Sequence, residues 1–279
     1  MIKVQKLQYH YSNGIPVLED LDFEIRQGEF VALIGQNGAG KTTLLKQFNG
    51  LLKPSSGDIF IDGINTKEST TGVLARKVGY LFQNPDHQIF MPTVEKEIGF
   101  GPGNLGLNKS EIKDRVLEAA SQVGLSAYLS ENPLFLSKGQ RQRVAFASLL
   151  SMKPEVMVLD EPTTGQDYQE GIEIMEMVKK LHTQGHTIIF VTHDMELVAR
   201  YAERVIVLSQ GRILLDDTCR NVFYQPEILE KTNLYPPQIA RLVQRFGSNQ
   251  SRFDKAISVE ELFAQVMKVL GSDLNVNCS

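Results

Sequence analysis

A loop of eight residues in the first fifth of the chain constrains the fold more than any other segment. Its residues are Gly35, Gln36, Asn37, Gly38, Ala39, Gly40, Lys41 and Thr42, and Thr43 follows them. The loop lies between an apolar run at 31–34, typical of a buried strand, and a segment with helical spacing at 43–51. Glycines let the backbone wrap around phosphate oxygens, while loop N–H groups and the helix N-terminus supply partial positive charge. The pattern predicts a phosphate-binding loop, in which Lys41 reaches the β- and γ-phosphates of a nucleotide and Thr42 holds Mg²⁺.

Short apolar runs alternate with helical segments along much of the chain. The runs lie at 59–61, 78–82, 156–159 and 187–191, and an amphipathic segment at 168–183 has helical spacing. This alternation predicts an α/β fold with a mostly parallel, doubly wound sheet, whose ligands bind at the carboxyl ends of the strands. Two further runs, at 205–208 and 212–215, flank a short turn and predict a hairpin.

The stretch from about 84 to 153 has few β-branched runs and a composition that favours helices. We predict one helix at 109–123, opened near Ser110, and a second at 141–151. This stretch is therefore interpreted as a helical subdomain inserted into a domain that spans residues 1–218.

Residues 219–279 lack strand patterns and predict a small C-terminal helical region. One helix is expected to end near 246, and residues 248–251 have the composition of a linker. Ser258 is expected to open another helix, with Glu261 at the third position of a capping box.

Composition and charge exclude several classes of protein. Hydrophobic residues make up 42% of the chain and charged residues 22%, which is typical of a globular protein. The net charge of −4 argues against a dedicated nucleic-acid binder, which usually carries a basic face. No uncharged apolar run approaches the roughly 20 residues that a membrane helix needs. Spanning segments, if the protein acts at a membrane, are expected to belong to other chains.

A second motif narrows the class of nucleotide enzyme. The apolar run at 156–159 ends in two acids, Asp160 and Glu161. An aspartate at the end of a strand beside a phosphate-binding loop can support Mg²⁺. The glutamate that follows can polarise an attacking water as a general base.

With these two motifs in order, the chain resembles the ABC ATPase family over residues 1–218. Five residues match the signature motif of that family: Leu136, Ser137, Lys138, Gly139 and Gln140. The resemblance implies a P-loop NTPase (RecA-like) core with an N-terminal antiparallel β subdomain, an inserted helical subdomain and a small C-terminal helical tail. It also implies two ATP molecules between two subunits, with the P-loop of one facing Ser137, Gly139 and Gln140 of the other.

The resemblance implies roles for several further residues. Tyr11 matches the aromatic that stacks on adenine, with Tyr9 as a competitor two positions away. Gln83 matches the Q-loop glutamine, which links Mg²⁺ and the attacking water to a membrane partner. Asp167 matches the D-loop aspartate at the dimer interface, and His193 matches the switch histidine at the γ-phosphate. The nucleotide site therefore includes Tyr11 and the loop through Thr43. Mg²⁺ is assigned to Thr42, Gln83 and Asp160, and catalysis to Glu161, His193 and Gln83.

The segments 83–90 and 234–240 are similar to the ATPases of energy-coupling factor (ECF) transporters, including cobalt importers. This resemblance implies a peripheral protein at the cytoplasmic face of the cell membrane that powers uptake of a vitamin or a transition-metal ion. Its implied partners are a second ATPase, identical or related, a transmembrane scaffold and a small substrate-binding membrane subunit, with no nucleic acid. Asp86, Glu95 and Glu97 are candidate docking acids for scaffold arginines, or they are simply solvated.

Three alternatives remain open, together with two departures from the family pattern. The alternatives are a different ABC transporter, a soluble ABC ATPase acting on DNA or ribosomes, and a regulatory subunit that binds ATP without turnover. The last would be expected to lack Glu161 or His193, and both are present. Lys138 stands where the usual signature has glycine, which raises the question of whether both sites of a dimer are equally active. The loop at 164–167 also departs from the common D-loop, although Asp167 is retained.

Overall fold

The computed structural model describes residues 1–12, 14–246 and 254–276. The strands are β1 (Ile2–His10), β2 (Pro16–Ile25), β3 (Phe30–Ile34), β4 (Ser56–Ile61), β5 (Ile64–Asn65), β6 (Val78–Leu81), β7 (Val156–Asp160), β8 (Thr187–Val191), β9 (Arg204–Ser209) and β10 (Arg212–Thr218). The helices are α1 (Lys41–Phe48), α2 (Thr71–Leu74), α3 (Val94–Asn104), α4 (Lys109–Gln122), α5 (Lys138–Met152), α6 (Tyr168–Thr183), α7 (Met195–Tyr201), α8 (Cys219–Phe223), α9 (Pro226–Glu230), α10 (Gln238–Arg245) and α11 (Val259–Val276).

A six-stranded sheet forms the centre of the fold, in the order β10-β9-β3-β8-β7-β6. The five strands from β9 to β6 run parallel, and β10 pairs antiparallel with β9 as the predicted hairpin. Strand β3 is buried along its whole length because both faces of the sheet are covered. Phe30, Ala32 and Ile34 pack in the core on the helical side, whereas Val31 and Leu33 pack on the opposite side. The mostly parallel sheet predicted from the sequence is confirmed.

A second sheet covers one face of the first. It is antiparallel, in the order β2-β1-β4-β5, and its buried side chains share a core with α1 and with alternate residues of the parallel sheet. This is the N-terminal antiparallel β subdomain that the family resemblance implied.

Helices α3, α4 and α5 lie between β6 and β7 in the chain, within the predicted helical insertion. The prediction that Ser110 opens α4 is wrong, because Asn108 is the N-cap and forms a capping box with Glu111. Helix α5 begins at Lys138, three residues before the predicted start, because Ser137 caps it and Gln140 closes a second capping box.

The C-terminal region is helical, as predicted, from α8 to α11. At the start of α11, Ser258 accepts a hydrogen bond from the Glu261 amide at 3.2 Å. The Glu261 carboxylate does not complete the capping box. It accepts instead from Arg220 at 3.0 and 2.7 Å and from the Ile257 amide at 3.0 Å, which ties α11 to α8. The predicted linker at 248–251 lies outside the described residues, and in the described part of the chain no helix is long and apolar enough to cross a membrane.

Candidate nucleotide-binding site

The phosphate-binding loop runs from the carboxyl end of β3 to the start of α1. Two of its glycines occupy positions where a side chain would crowd neighbouring atoms. A Cβ atom at Gly35 would lie 2.1 Å from the carbonyl oxygen of Leu208, and one at Gly40 would lie 2.7 Å from a methyl carbon of Leu18. Gly40 is the N-cap of α1 with a φ of 101°, a left-handed conformation that favours glycine. The loop therefore presents bare backbone at a helix N-terminus, which fits a phosphate group.

Lys41 folds back over this loop. Its Nζ donates to the carbonyl oxygens of Gly35 and Gln36 at 2.7 and 3.0 Å. Burial lowers the pKa of Lys41, and the nearby charges of Glu161 and Asp160 act in the opposite direction. The ammonium is thus held at the mouth of the loop, within the group of acids.

Asp160 lies at the carboxyl end of β7, beside the loop, and is 3% exposed. One of its oxygens, Oδ1, accepts from the Thr42 hydroxyl at 3.3 Å. The other, Oδ2, accepts from the Tyr80 hydroxyl at 2.9 Å. A carboxylate beside a hydroxyl is an all-oxygen donor set that suits Mg²⁺, so the residues fit the metal that the resemblance implies. Tyr80 was not predicted from the sequence.

Glu161 and His193 meet at the ends of neighbouring strands β7 and β8. The Nδ1 atom of His193 lies 3.1 Å from Oε1 and 3.0 Å from Oε2 of Glu161. The Glu161 side chain is 13% exposed, whereas that of His193 is 78% exposed. Glu161 has a φ of 53°, unusual for a residue with a side chain, while its amide donates to the Val191 carbonyl. This backbone turn brings the carboxylate to the cleft instead of extending the strand.

Lys41, Thr42, Asp160 and Glu161 line one cleft of about 330 Å³, whereas His193 touches Glu161 from outside this lining. Its lining residues are Tyr11, Val17, Asn37, Gly38, Gly40, Lys41, Thr42, Thr43, Gln83, Asp160, Glu161 and Val191. Tyr11 is 43% exposed and donates to or accepts from the Thr43 hydroxyl at 3.0 Å. Tyr9 is buried and packs edge-on against Tyr11, at 5.0 Å between ring centroids. Of the two tyrosines, Tyr11 is the one placed to contact a base.

Gln83 follows β6 and is exposed, with its side chain on the cleft. Five residues later, Gln88 braces the same segment. Its Oε1 accepts from the Phe82 amide at 3.3 Å and its Nε2 donates to the Ala145 carbonyl of α5 at 3.3 Å. The conformation of the Q-loop segment therefore depends on helix α5.

The signature residues are not brought to this cleft. Ser137, Gly139 and Gln140 lie at the N-terminus of α5 and are absent from the lining of the cleft. Arg141 holds this end of the helix by donating to the Leu136 carbonyl at 2.6 Å and to Asp86 at 2.7 Å. Within one chain, the predicted nucleotide site is therefore divided into two separate surfaces.

The predicted docking acids differ in their surroundings. The prediction that Glu97 is a docking residue is wrong. Glu97 is 3% exposed, and its carboxylate accepts hydrogen bonds from the amides of Phe90 and Met91 at 3.0 and 2.8 Å. Asp86 is exposed but forms an ion pair with Arg141. Glu95 is exposed at the start of α3, where its charge also favours the helix N-terminus.

Lys138 lies over the loop that follows β7 in its own chain. Its Nζ and Cε atoms are each 2.7 Å from the place where a Cβ on Gly165 would be. A Cβ on the next residue, Gly139, would lie 3.0 Å from Oε1 of Gln166. The two departures from the family pattern, in the signature and in the D-loop, thus contact each other. Asp167 ends this loop as the N-cap of α6.

We expect Lys138→Gly to leave ATP turnover within about twofold of the parent, because the exposed side chain packs on its own loop. Steady-state phosphate release by the purified protein measures this effect. Lys138→Ala is the matched control, since it removes the side chain without the added backbone freedom of glycine. A loss of about tenfold in both variants, equivalent to about 1.4 kcal/mol, would contradict this prediction.

Comparison with known proteins agrees with this geometry. The sequence profile described as ABC transporter matches residues 18–164, which include the P-loop, the signature and both acids at the end of β7. The chain belongs to the ABC transporter ATP-binding family. An energy-coupling factor transporter ATP-binding protein of Methanothermobacter thermautotrophicus is 40% identical over 275 residues, which cover 98% of this chain and 88% of that protein. The resemblance to ECF ATP-binding proteins is confirmed.

Relatives of other lengths and solved structures extend the comparison. An ABC transporter ATP-binding protein of Caldanaerobacter subterraneus is 47% identical over 262 residues. The match covers 94% of this chain but only 45% of that longer protein. The solved cbiO1 of Clostridium perfringens, part of the ABC transporter complex cbiONQ, matches with a TM-score of 0.74 and 39% identity, covering 87% of this chain and 98% of that one. A dimer of the cassette MJ0796 in a post-hydrolysis state matches with a TM-score of 0.71 and 30% identity, covering 78% and 99%. The predicted fold class is confirmed.

Proposed function

We propose that this chain is the ATP-hydrolysing subunit of an ECF-type ABC importer that takes up a vitamin or a transition-metal ion. One observation carries the proposal of catalysis. Lys41, Thr42, Asp160 and Glu161 line a single cleft, with His193 in contact with Glu161. The ECF assignment is supported by relatives of that type that match over nearly the full chain.

The loop residues 35–43 would hold the phosphates of ATP, and Tyr11 would stack on the base. Lys41 would exchange its two loop carbonyls for phosphate oxygens, which are stronger acceptors because they are charged. Thr42, Asp160 and Gln83 would hold Mg²⁺, which neutralises charge on the phosphates when it is bound.

Glu161 would act as the general base, since its carboxylate reaches the cleft and can accept a proton from water. His193 would orient that carboxylate through the contact between Nδ1 and Glu161 and would contact the γ-phosphate. A regulatory subunit without turnover would have no need for this pair, so the geometry disfavours that alternative.

A second subunit, identical or related, would complete each site. Its Ser137, Gly139 and Gln140 would face the nucleotide across the interface, because they lie away from the cleft of their own chain. The solved MJ0796 dimer, bound to ADP and phosphate, supports such an arrangement by similarity. We assign residues 1–218 to the ATPase domain, with the helical subdomain at about 84–153, and residues 219–279 to a C-terminal region that helps to hold the dimer together.

The proposed membrane partners are a transmembrane scaffold and a small substrate-binding subunit, which would place this chain at the cytoplasmic face of the cell membrane. Glu95 is the remaining exposed and unpaired acid of the three predicted docking residues among the described side-chain contacts. Nucleic acid is not a proposed partner.

Purification of the tagged chain from its native membrane in mild detergent, followed by mass spectrometry, tests the proposed assembly. We expect a polytopic scaffold, an ATPase partner and at least one small membrane protein, whose identity would indicate the cargo. Recovery of ribosomal or chromosomal proteins without a membrane partner would refute the importer and leave the ATPase assignment intact.

A further inference from the structure

Tyr80 is a buried tyrosine that has no role in the proposed ATPase reaction. It lies on β6, whose register pairs Tyr80 with Val158 of β7. Alternate residues of a strand share a face, so Tyr80, Val158 and Asp160 lie on the same side of the sheet. The Tyr80 side chain extends toward the carboxyl end of β7, and its hydroxyl donates to Oδ2 of Asp160 at 2.9 Å.

The two oxygens of Asp160 therefore have different donors. Thr42 donates to Oδ1 at 3.3 Å from the loop side, and Tyr80 donates to Oδ2 from the sheet side. The terminal torsion of an aspartate is broad, so nothing in the side chain itself fixes the plane of the carboxylate. Two donors on opposite sides fix that plane and direct Oδ1 toward Thr42.

Burial makes the hydrogen bond from Tyr80 difficult to replace. Asp160 is 3% exposed and Tyr80 is 8% exposed, so water is not available to replace the tyrosine hydroxyl freely. A buried carboxylate oxygen without a donor is destabilised, and the side chain would rotate to recover one. The Thr42 hydroxyl already donates to Oδ1, and the Lys41 ammonium, whose charge interacts with Asp160, donates to two loop carbonyls; the phosphate site itself needs both groups.

We propose that Tyr80 is a positioning residue for Mg²⁺, which acts by holding Asp160 with Oδ1 presented to the metal beside Thr42. The inference rests on the proposed function, because it requires that Mg²⁺ binds with ATP at this cleft. Hydrogen-bond partners of metal-ligating carboxylates typically contribute about 10–100-fold to metal affinity.

A purely structural role for Tyr80 makes a different prediction. Buried tyrosine hydroxyls generally find a partner, whatever its function. If Asp160 were only that partner, Tyr80→Phe would lower thermal stability and leave the affinity for metal unchanged.

The test is Mn²⁺ binding to Tyr80→Phe in the presence of a non-hydrolysable ATP analogue, followed by electron paramagnetic resonance. Mn²⁺ reports on the Mg²⁺ site because both prefer oxygen ligands. We expect Mn²⁺ to bind about tenfold more weakly than to the parent. Affinity for the analogue in EDTA should be unchanged, since the loop that holds the phosphates is intact. Tyr224→Phe is the matched control, because it removes a hydroxyl that donates to the Ala256 carbonyl at 2.9 Å in the C-terminal region.

The outcomes separate the two levels of the proposal. Unchanged Mn²⁺ affinity in Tyr80→Phe would overturn the role of Tyr80, as would an equal loss of analogue binding in EDTA. Failure of the parent protein to bind Mn²⁺ with the analogue would instead overturn the proposed MgATP site. If Tyr80→Phe does not fold, 3-fluorotyrosine placed at position 80 keeps the hydroxyl, and its ¹⁹F resonance should shift when Mg²⁺ joins the analogue complex. An unmoved resonance would refute the inference.

Discussion

Glu161→Gln is expected to bind ATP and to lose about 10²–10⁴-fold in turnover, the range that a positioned general base contributes. Glutamine keeps the size of the side chain and can still contact His193, but its amide cannot take a proton from water. Because product formation would stop after ATP binding, the variant should accumulate as a nucleotide-bound dimer. Phosphate release and size-exclusion chromatography with and without MgATP measure the two effects.

Glu173→Gln is the matched control for this variant. Glu173 is an exposed glutamate on α6 that pairs with Arg143 at 3.0 Å, away from the cleft. Its substitution should leave turnover and oligomeric state unchanged, since exposed ion pairs contribute little. Turnover near that of the parent in Glu161→Gln would remove Glu161 from the role of base.

Lys41→Ala is expected to weaken ATP binding by about 10–100-fold, which corresponds to the 1.5–3 kcal/mol typical of a hydrogen bond to a charged group. The substitution also removes the two bonds from Nζ to the carbonyls of Gly35 and Gln36. We therefore expect a less ordered loop before the nucleotide arrives, in addition to the lost contact with phosphate. Equilibrium binding of a fluorescent ATP analogue measures the affinity.

Lys46→Ala tests whether any lysine on the same helix has this effect. Lys46 lies in the last turn of α1, where its positive charge interacts favourably with the helix C-terminus. It is not among the residues that line the cleft. Its affinity for ATP should match that of the parent. An affinity of Lys41→Ala equal to that of Lys46→Ala would count against the phosphate-binding assignment.

Features that depend on local sequence were predictable. The phosphate-binding loop is encoded by glycines whose backbone positions exclude other residues, as the close approach of Gly35 to Leu208 shows. The strand that ends at Asp160 and the helix after Asp167 follow from an apolar run and from amphipathic spacing at 168–183. In each case the atoms that decide the structure are within a few residues of one another.

Features that depend on contacts between distant segments were not predictable in the same way. Glu97 is an acid near the start of α3, where exposure is usual, yet it is buried. Its carboxylate accepts hydrogen bonds from the amides of Phe90 and Met91, which precede the helix. Tyr80 is 80 residues from Asp160 in sequence, and the two meet only because β6 pairs with β7 across the helical insertion. The order of strands would have been needed to identify that pair. The available signal was a tyrosine near the end of β6, the strand that pairs with the strand ending in Asp160.

The wall of the cleft around Tyr11 has a consequence for the choice of base. An aromatic ring offers a similar stacking surface to every base, because each base has a π face. Discrimination between adenine and guanine requires hydrogen bonds to the edge of the base. The polar side chains that line the cleft belong to the loop, to α1 and to residues at the strand ends, and the lining also includes the apolar Val17. We therefore expect the part of the site that this chain supplies to discriminate weakly between ATP and GTP, so that the two nucleotides would compete for it in proportion to their supply.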